Sequence, residues 1–229
     1  MKAMRAIAFL FLVSTPGWAF PTGADPKNTG APGDATCAQC HSGGSSTAAV
    51  QISVSGGNTY TAGEKKTITV SFSSTSPRYG FQLTARLASN AQAGDFTSPS
   101  VTGTSVICDG AGAAKPAGQP CANNALQFVG HNRVSTTGTW AIEWTAPSAA
   151  AGDIKFYAAG NAANNPTGTG GDTISTTSVT ITAATGGGGN TPAITDGGVV
   201  TAFSPRTGVV SGGWIEIYGT NLSATTKEW

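Results

Sequence analysis

The sequence predicts an all-β fold, an antiparallel β-sandwich with an N-terminal extension and a partial second β domain. Three observations predict it. Apolar residues alternate with polar ones at period two in short runs, which buries one face of a strand and leaves the other in water. Turns rich in Gly, Pro and Asn separate the runs. Beyond residue 19 no stretch carries apolar residues at helical spacing. Only 10% of residues are charged, and the net charge is near zero, so the polar Gly/Ser/Thr-rich composition does not read as disorder.

The strands follow in order. Ile52 and Val54 open the series, then Ile68, Val70 and Phe72, then Phe81, Leu83, Ala85 and Leu87. Leu126 and Phe128 come next, then Trp140, Ile142 and Trp144, then Ile154 and Phe156, then Val179 and Ile181. These runs place one sandwich over residues 50–183, long enough to bury a core. Residues 20–49 hold few large apolar side chains and cannot make a core alone. Residues 184–192 read as a Gly-rich linker. In residues 193–229 a new pattern starts, with Ile215 and Ile217 facing away from Trp214, Glu216 and Tyr218. That piece is too short for an independent domain, and the expectation is that a further domain is cut off after Trp229.

Residues 1–19 have the layout of a secretion signal. Lys2 and Arg5 precede the apolar run Ala6 to Val13, and Gly17 and Ala19 supply small residues for a cut after Ala19. The run is too short for a permanent membrane anchor. The expected location is outside the cytoplasm, either periplasmic, cell-surface or extracellular in a bacterium. Without Lys2 and Arg5 the chain carries ten basic and eleven acidic residues, which excludes a nucleic-acid footprint and a polybasic membrane patch.

Within that exported chain, Cys37-Ala38-Gln39-Cys40-His41 is the spacing that attaches c-type haem. Two thiols on one turn can form thioethers to the two vinyl groups, and the imidazole that follows reaches the iron. The expected cofactor is one covalent haem c held by Cys37 and Cys40, with His41 as iron ligand. Methionine occurs only as Met1 and Met4, so His/Met ligation is closed to the processed chain. His131 is the other histidine and the candidate sixth ligand. Two alternatives stay open: a loop histidine bonded to backbone, and an iron with an open sixth position. The haem needs an apolar wall, for which Tyr79, Phe81 and Phe128 are candidates. Cys108 and Cys121 bracket a loop without core-forming residues and are expected to pair as a disulfide. Two disulfides and no haem is the competing arrangement.

Other chemistry finds less support. Asn161, Asn164, Asn165 and Asp172 could offer oxygens to calcium but include too few carboxylates. Zinc at Cys37, Cys40 and His41 lacks a fourth ligand at the expected spacing. No Ser-His-Asp set is assignable, and carboxylates are scattered singly, so no catalytic residue is named.

Several segments resemble a secreted bacterial family called choice-of-anchor V, whose domain is similar to the Reeler domain of extracellular matrix proteins. They are Thr29 through His41, Tyr79-Gly-Phe-Gln-Leu83, Gly130-His131, Trp144-Thr-Ala-Pro147, and Phe156-Tyr-Ala-Ala-Gly-Asn161 leading to Gly171-Asp172. The likeness spans about residues 27–183. The Cys-x-x-Cys-His run and the Gly-Asn and Gly-Asp pairs are its most specific parts. It implies an immunoglobulin-like sandwich on an exported or surface protein, and no known reaction. The tail, Phe203 to Gly213 and Ile217 to Leu222, is similar to the start of a TIG-type immunoglobulin-like domain. Two functions follow as expectations. One is an exported monohaem protein for electron transfer or redox sensing, with redox partner proteins as its partners. The other is a surface adhesion or ligand-binding module without a redox role.

Overall fold

The computed structural model describes residues 22–97, 103–110, 121–165, 168–184, 193–202 and 211–220, and Leu222. The signal layout of residues 1–19 and nearly all of the Gly-rich linker lie outside these. The strands are β1 (Ser42–Gly43), β2 (Val50–Val54), β3 (Thr59–Tyr60), β4 (Lys65–Phe72), β5 (Arg78–Leu87), β6 (Asp95–Thr97) and β7 (Thr104–Cys108). They continue with β8 (Gln127–His131), β9 (Thr139–Thr145), β10 (Ile154–Ala163), β11 (Gly170–Ala183), β12 (Ala193–Thr201) and β13 (Ile215–Thr220).

Two sheets pack face to face. The larger has the order β1-β11-β10-β5-β8-β7, with β3 also on β11, and the smaller has the order β2-β4-β9-β6. The pairing is antiparallel except where β1 and β3 join β11 in parallel, which amends the all-antiparallel expectation. β12 and β13 form a separate antiparallel pair, and all six residues of β13 are exposed, Ile215 and Ile217 included.

The core lies between the two main sheets, where the period-two pattern puts it. Ile68, Val70, Trp140, Ile142 and Trp144 of the smaller sheet face Phe81, Leu83, Ala85, Ile154, Phe156 and Ile181 of the larger. Trp144 meets Phe156 edge-on at 5.1 Å and donates its indole N–H to the Ala93 carbonyl at 3.0 Å. The ring thus contributes burial without leaving a polar atom unpaired. Gly160 of β10 is required here, because a Cβ would stand 2.6 Å from Phe72 and 2.7 Å from Val50.

The outer face of the larger sheet is also buried, which the alternation did not foretell. Gln82, Thr84 and Arg86 of β5 are buried on that face although each is polar. Residues 24–36 supply their cover. The Gln82 amide donates to the carbonyls of Asp25 (2.8 Å) and Ala24 (3.3 Å) and accepts the Asn28 amide at 2.6 Å. Arg86 donates to Asp34 at 2.9 Å, and Thr29 donates to the same Asp34 oxygen at 2.6 Å. Phe128 sits on this face under the Arg86 guanidinium, 5.4 Å from ring centre, while its neighbour Val129 points into the core. The expectation that Phe128 faces the core is therefore reversed, because the cover makes both faces of β8 dry.

Arg86 and Asp34 are a buried ion pair, with side chains 2% and 3% exposed. Removing either partner strands the other charge in a dry site, a loss of about 3–5 kcal/mol. Arg86→Ala and Asp34→Ala are each expected to lower the unfolding free energy in urea by that amount, and the double variant by much less than the sum.

Candidate functional site

Cys37, Cys40 and His41 lie on one turn at the end of the covering segment. Thr36 accepts the Ala38 amide at 3.2 Å and so caps a short 3-10 helix, Cys37–Gln39. The Cys37 carbonyl accepts the amides of Cys40 (3.2 Å) and His41 (3.0 Å), which puts both thiols and the imidazole on one turn, as the spacing requires. Immediately beyond, the chain is pinned to β11. Ser42 donates to the Thr169 carbonyl at 2.9 Å and Gly44 to the Asp172 carbonyl at 3.0 Å. β1 is therefore short but decides where His41 sits.

His41 lands on Asp172. Its Nδ1 is 2.6 Å from Asp172 Oδ2, and the side chains are 17% and 2% exposed. An ionised carboxylate only accepts, so in this hydrogen bond Nδ1 is the donor. Asn161 of β10 is the third member. Its amide nitrogen is 3.4 Å from the same Asp172 oxygen and 3.0 Å from His41 Nδ1. With Nδ1 protonated this orientation sets two donors 3.0 Å apart, whereas the reverse rotation lets Oδ1 accept from Nδ1–H while facing the Asp172 oxygen. The Asn164 backbone N–H donates to the other Asp172 oxygen at 3.1 Å. Asn161 Oδ1 is buried with no hydrogen-bond partner among the described residues, at a cost of about 1–3 kcal/mol. Local conflicts of this kind gather at functional sites.

Asp172 and Asn161 are the residues that sequence reasoning missed as partners of His41. The signal was present: the Gly-Asn and Gly-Asp pairs stood beside the Cys-x-x-Cys-His run as the most specific segments. Read by themselves they could offer oxygens to calcium, with too few carboxylates for a site. Their polar atoms instead face the imidazole, and no cluster of three His, Cys, Asp or Glu able to hold a metal ion occurs among the described residues.

His131 closes β8 on the same outer face, one strand from Asn161. Asn161 pairs with Gly80 of β5, and the His131 ring lies over Gly80, where a Cβ would stand 2.6 Å from the ring. His131 Nδ1 lies 3.1 Å from the Phe81 amide nitrogen and 3.3 Å from the Phe81 carbonyl oxygen, so it bonds one or the other according to its tautomer. The ring thus continues the backbone ladder of β5.

The three aromatics named as a haem wall are packed elsewhere. Phe81 stacks on Trp140 at 4.5 Å, Tyr79 packs on Phe72 at 4.8 Å, and Phe128 lies under Arg86. Their size made them wall candidates, but the same size fills the core and the covered face first.

Cys108 and Cys121 are disulfide-bonded with a Cα separation of 5.7 Å, whereas Cys37 and Cys40 are unpaired. Burial pushes the Cys37 thiol up to about 11, with Cys40 adding to the rise and a backbone hydrogen bond opposing it. Cys40 is exposed. In haem-free protein, iodoacetamide at pH 8 should therefore alkylate Cys40 first. Cys37 labelling should accelerate about tenfold per pH unit and level off near its pKa, which peptide mapping measures. The Cys108→Ser/Cys121→Ser variant is expected to lose roughly 3 kcal/mol in denaturant unfolding, since the bridge closes a short loop.

A family model described as the Reeler domain matches residues 35–162, more than half of the chain. The Reelin-N domain of F-spondin is 16% identical over 63% of this chain and 91% of that one, at a TM-score of 0.44. A human F-spondin reeler domain fragment is 17% identical over 59% and 92%, at 0.39. AggA, the major subunit of aggregative adherence fimbriae type I from Escherichia coli, is 14% identical over 63% and 100%, at 0.32. No curated protein matches the chain. The Reeler match does not reach residues 193–229, so it lends nothing to the TIG-type likeness of that tail. It opens two residues before Cys37 and takes in the haem-type turn, both cysteine pairs, His131 and Asn161, and over that span the chain belongs to the Reeler domain family.

Proposed function

We propose that this Reeler domain carries one covalent c-type haem on Cys37, Cys40 and His41 and serves one-electron transfer or redox sensing outside the cytoplasm. The observation that carries the reading is the contact of His41 Nδ1 with Asp172, which leaves Nε2 as the ring nitrogen free to face an iron. The donor set fits in a second respect. Cys37 and Cys40 are unpaired on one turn in a chain whose other two cysteines are joined. Cys37 and Cys40 would hold the group through thioethers, each thiol adding its sulfur to one vinyl carbon and its hydrogen to the other, with no net oxidant consumed. A haem bound there supplies one-electron iron chemistry.

The exposed flank of the turn, Ala38 to Cys40, leaves that edge open to solvent and to a docking protein. The disulfide and the Reeler membership support an exported location. No helix among the described residues is long and apolar enough to cross a membrane.

His131 is the sixth-ligand candidate by composition, but its Nδ1 lies against the Phe81 backbone, 3.1 Å from the amide nitrogen and 3.3 Å from the carbonyl oxygen. That contact with the β5 backbone favours a structural role. The protein co-expressed with a c-haem maturation system should keep a Soret band after denaturation and acid-acetone extraction. His131→Ala should lower stability by about 1–2 kcal/mol and leave the ferric and ferrous spectra unchanged. A spectral change in that variant would restore His131 as a ligand. A colourless protein would remove the haem reading and leave the adhesion or ligand-binding module.

A further inference from the structure

The segment that covers the outer face of the larger sheet is closed on itself and only lightly attached to what it covers. The Gly30 amide donates to the Ala35 carbonyl at 2.8 Å, the Ala35 amide to the Lys27 carbonyl at 2.9 Å, and the Asp34 amide to the Ala31 carbonyl at 2.8 Å. Residues 27–35 are thus a small loop with joined ends. Of the described residues 24–36, only Ala31 buries an apolar side chain. The hold on the sheet comes instead from polar contacts. Asp34 meets Arg86 at 2.9 Å, the Asn28 amide donates to Gln82, Asn90 donates to the Pro32 carbonyl at 3.1 Å, and Lys27 lies 3.0 Å from Asp109. A segment with so little apolar contact opens at a lower free energy than a packed core. The socket for Asp34 does not depend on the segment. Arg86 donates to Thr84 at 3.0 Å and to Asn90 Oδ1 at 3.1 Å, and lies over Phe128, all parts of the sandwich. Asp34 can therefore leave and return to a guanidinium held in place.

Cys37 follows this loop directly. Its 3-10 turn lies against β10, and burial holds its thiol up at about 11, whereas Cys40 at the far end of the turn is exposed. Beyond the turn, Ser42 and Gly44 are pinned to β11, so the covering segment is the N-terminal clamp of the turn. We propose that residues 24–36 are a latched lid that controls when Cys37 reacts, with Asp34 on Arg86 as the latch. Cys40 takes a reagent from the closed state, and Cys37 takes one only after the lid lifts. A group that joins both thiols is bonded first at Cys40. The inference concerns any group the thiol pair takes up and does not rest on that group being haem.

The test uses the full haem-free chain with Cys37 and Cys40 reduced, labelled by iodoacetamide at one fixed pH and mapped by mass spectrometry. Asp34→Asn keeps an acceptor for Thr29 but strands the Arg86 charge, which lifting of the lid relieves by returning the guanidinium to water. Cys37 labelling should then rise about a hundredfold while the Cys40 rate stays as it was. Hydrogen exchange should show the Asn28 amide opening faster and the amides of β9 keeping their protection. Asp34→Asn/Arg86→Met leaves no charge to strand and should slow Cys37 labelling again. A Cys37 rate that ignores Asp34→Asn while the Asn28 amide opens faster overturns the proposal. So does a rise shared equally by Cys37 and β9, which is unfolding of the whole domain. If the variants do not fold, the wild type decides. Lid opening exposes little surface, so Cys37 labelling should depend on urea far less steeply than global unfolding does, and equal slopes overturn the proposal. A chain that takes up no haem overturns the haem reading and leaves this inference standing.

Discussion

The constraint on which the molecule turns is the dry, polar outer face of its larger sheet. Gln82, Thr84, Arg86, Asn161 and Asp172 all point away from the core, yet none is left to solvent. Buried polar groups need partners, and an unpaired one costs more than a made bond returns. Most of the partners come from one stretch of chain. Residues 24–34 serve Gln82 and Arg86, and His41 serves Asp172. The N-terminal extension lacks the apolar residues to fold alone, and it is ordered by hydrogen bonds to a sheet that is already formed.

This explains how an ordinary sandwich can present a precise thiol–imidazole turn. The sheet is rigid because its other face is packed with Trp140, Trp144, Phe81 and Phe156. The extension inherits that rigidity at fixed points: Gln82, Arg86, then the β1 pairing on β11. Between the last two points lies the Cys37–His41 turn. The Cys40 thiol is exposed, while the imidazole reaches inward to the carboxylate. One flank of the turn is thus exposed and the other is mechanically held.

The strand pattern was largely legible. Ile68, Val70 and Phe72, and Trp140, Ile142 and Trp144, alternate because one face meets the core, and the structure places them in β4 and β9. β7 escaped notice because its buried positions are Thr104, Val106 and Cys108, which make a weak apolar signal. β6 is only three residues long. Phe128 was read as core because alternation assumes one wet face, and β8 has none. The cysteine assignment divides the same way. Loop composition and elimination predicted Cys108–Cys121, and the structure joins them.

By itself the sequence determined the β class, the core-facing registers of the long strands, the disulfide, and a turn with two thiols followed by an imidazole. Each of these is local, written in residue periods and short spacings that any fold must respect. Only the tertiary structure decided what His41 touches. Asp172 lies 131 positions away, and no periodicity links it to His41. The contact exists because the parallel pairing of β1 with β11 brings the two ends of the sandwich sequence side by side, and because a buried carboxylate must find a donor.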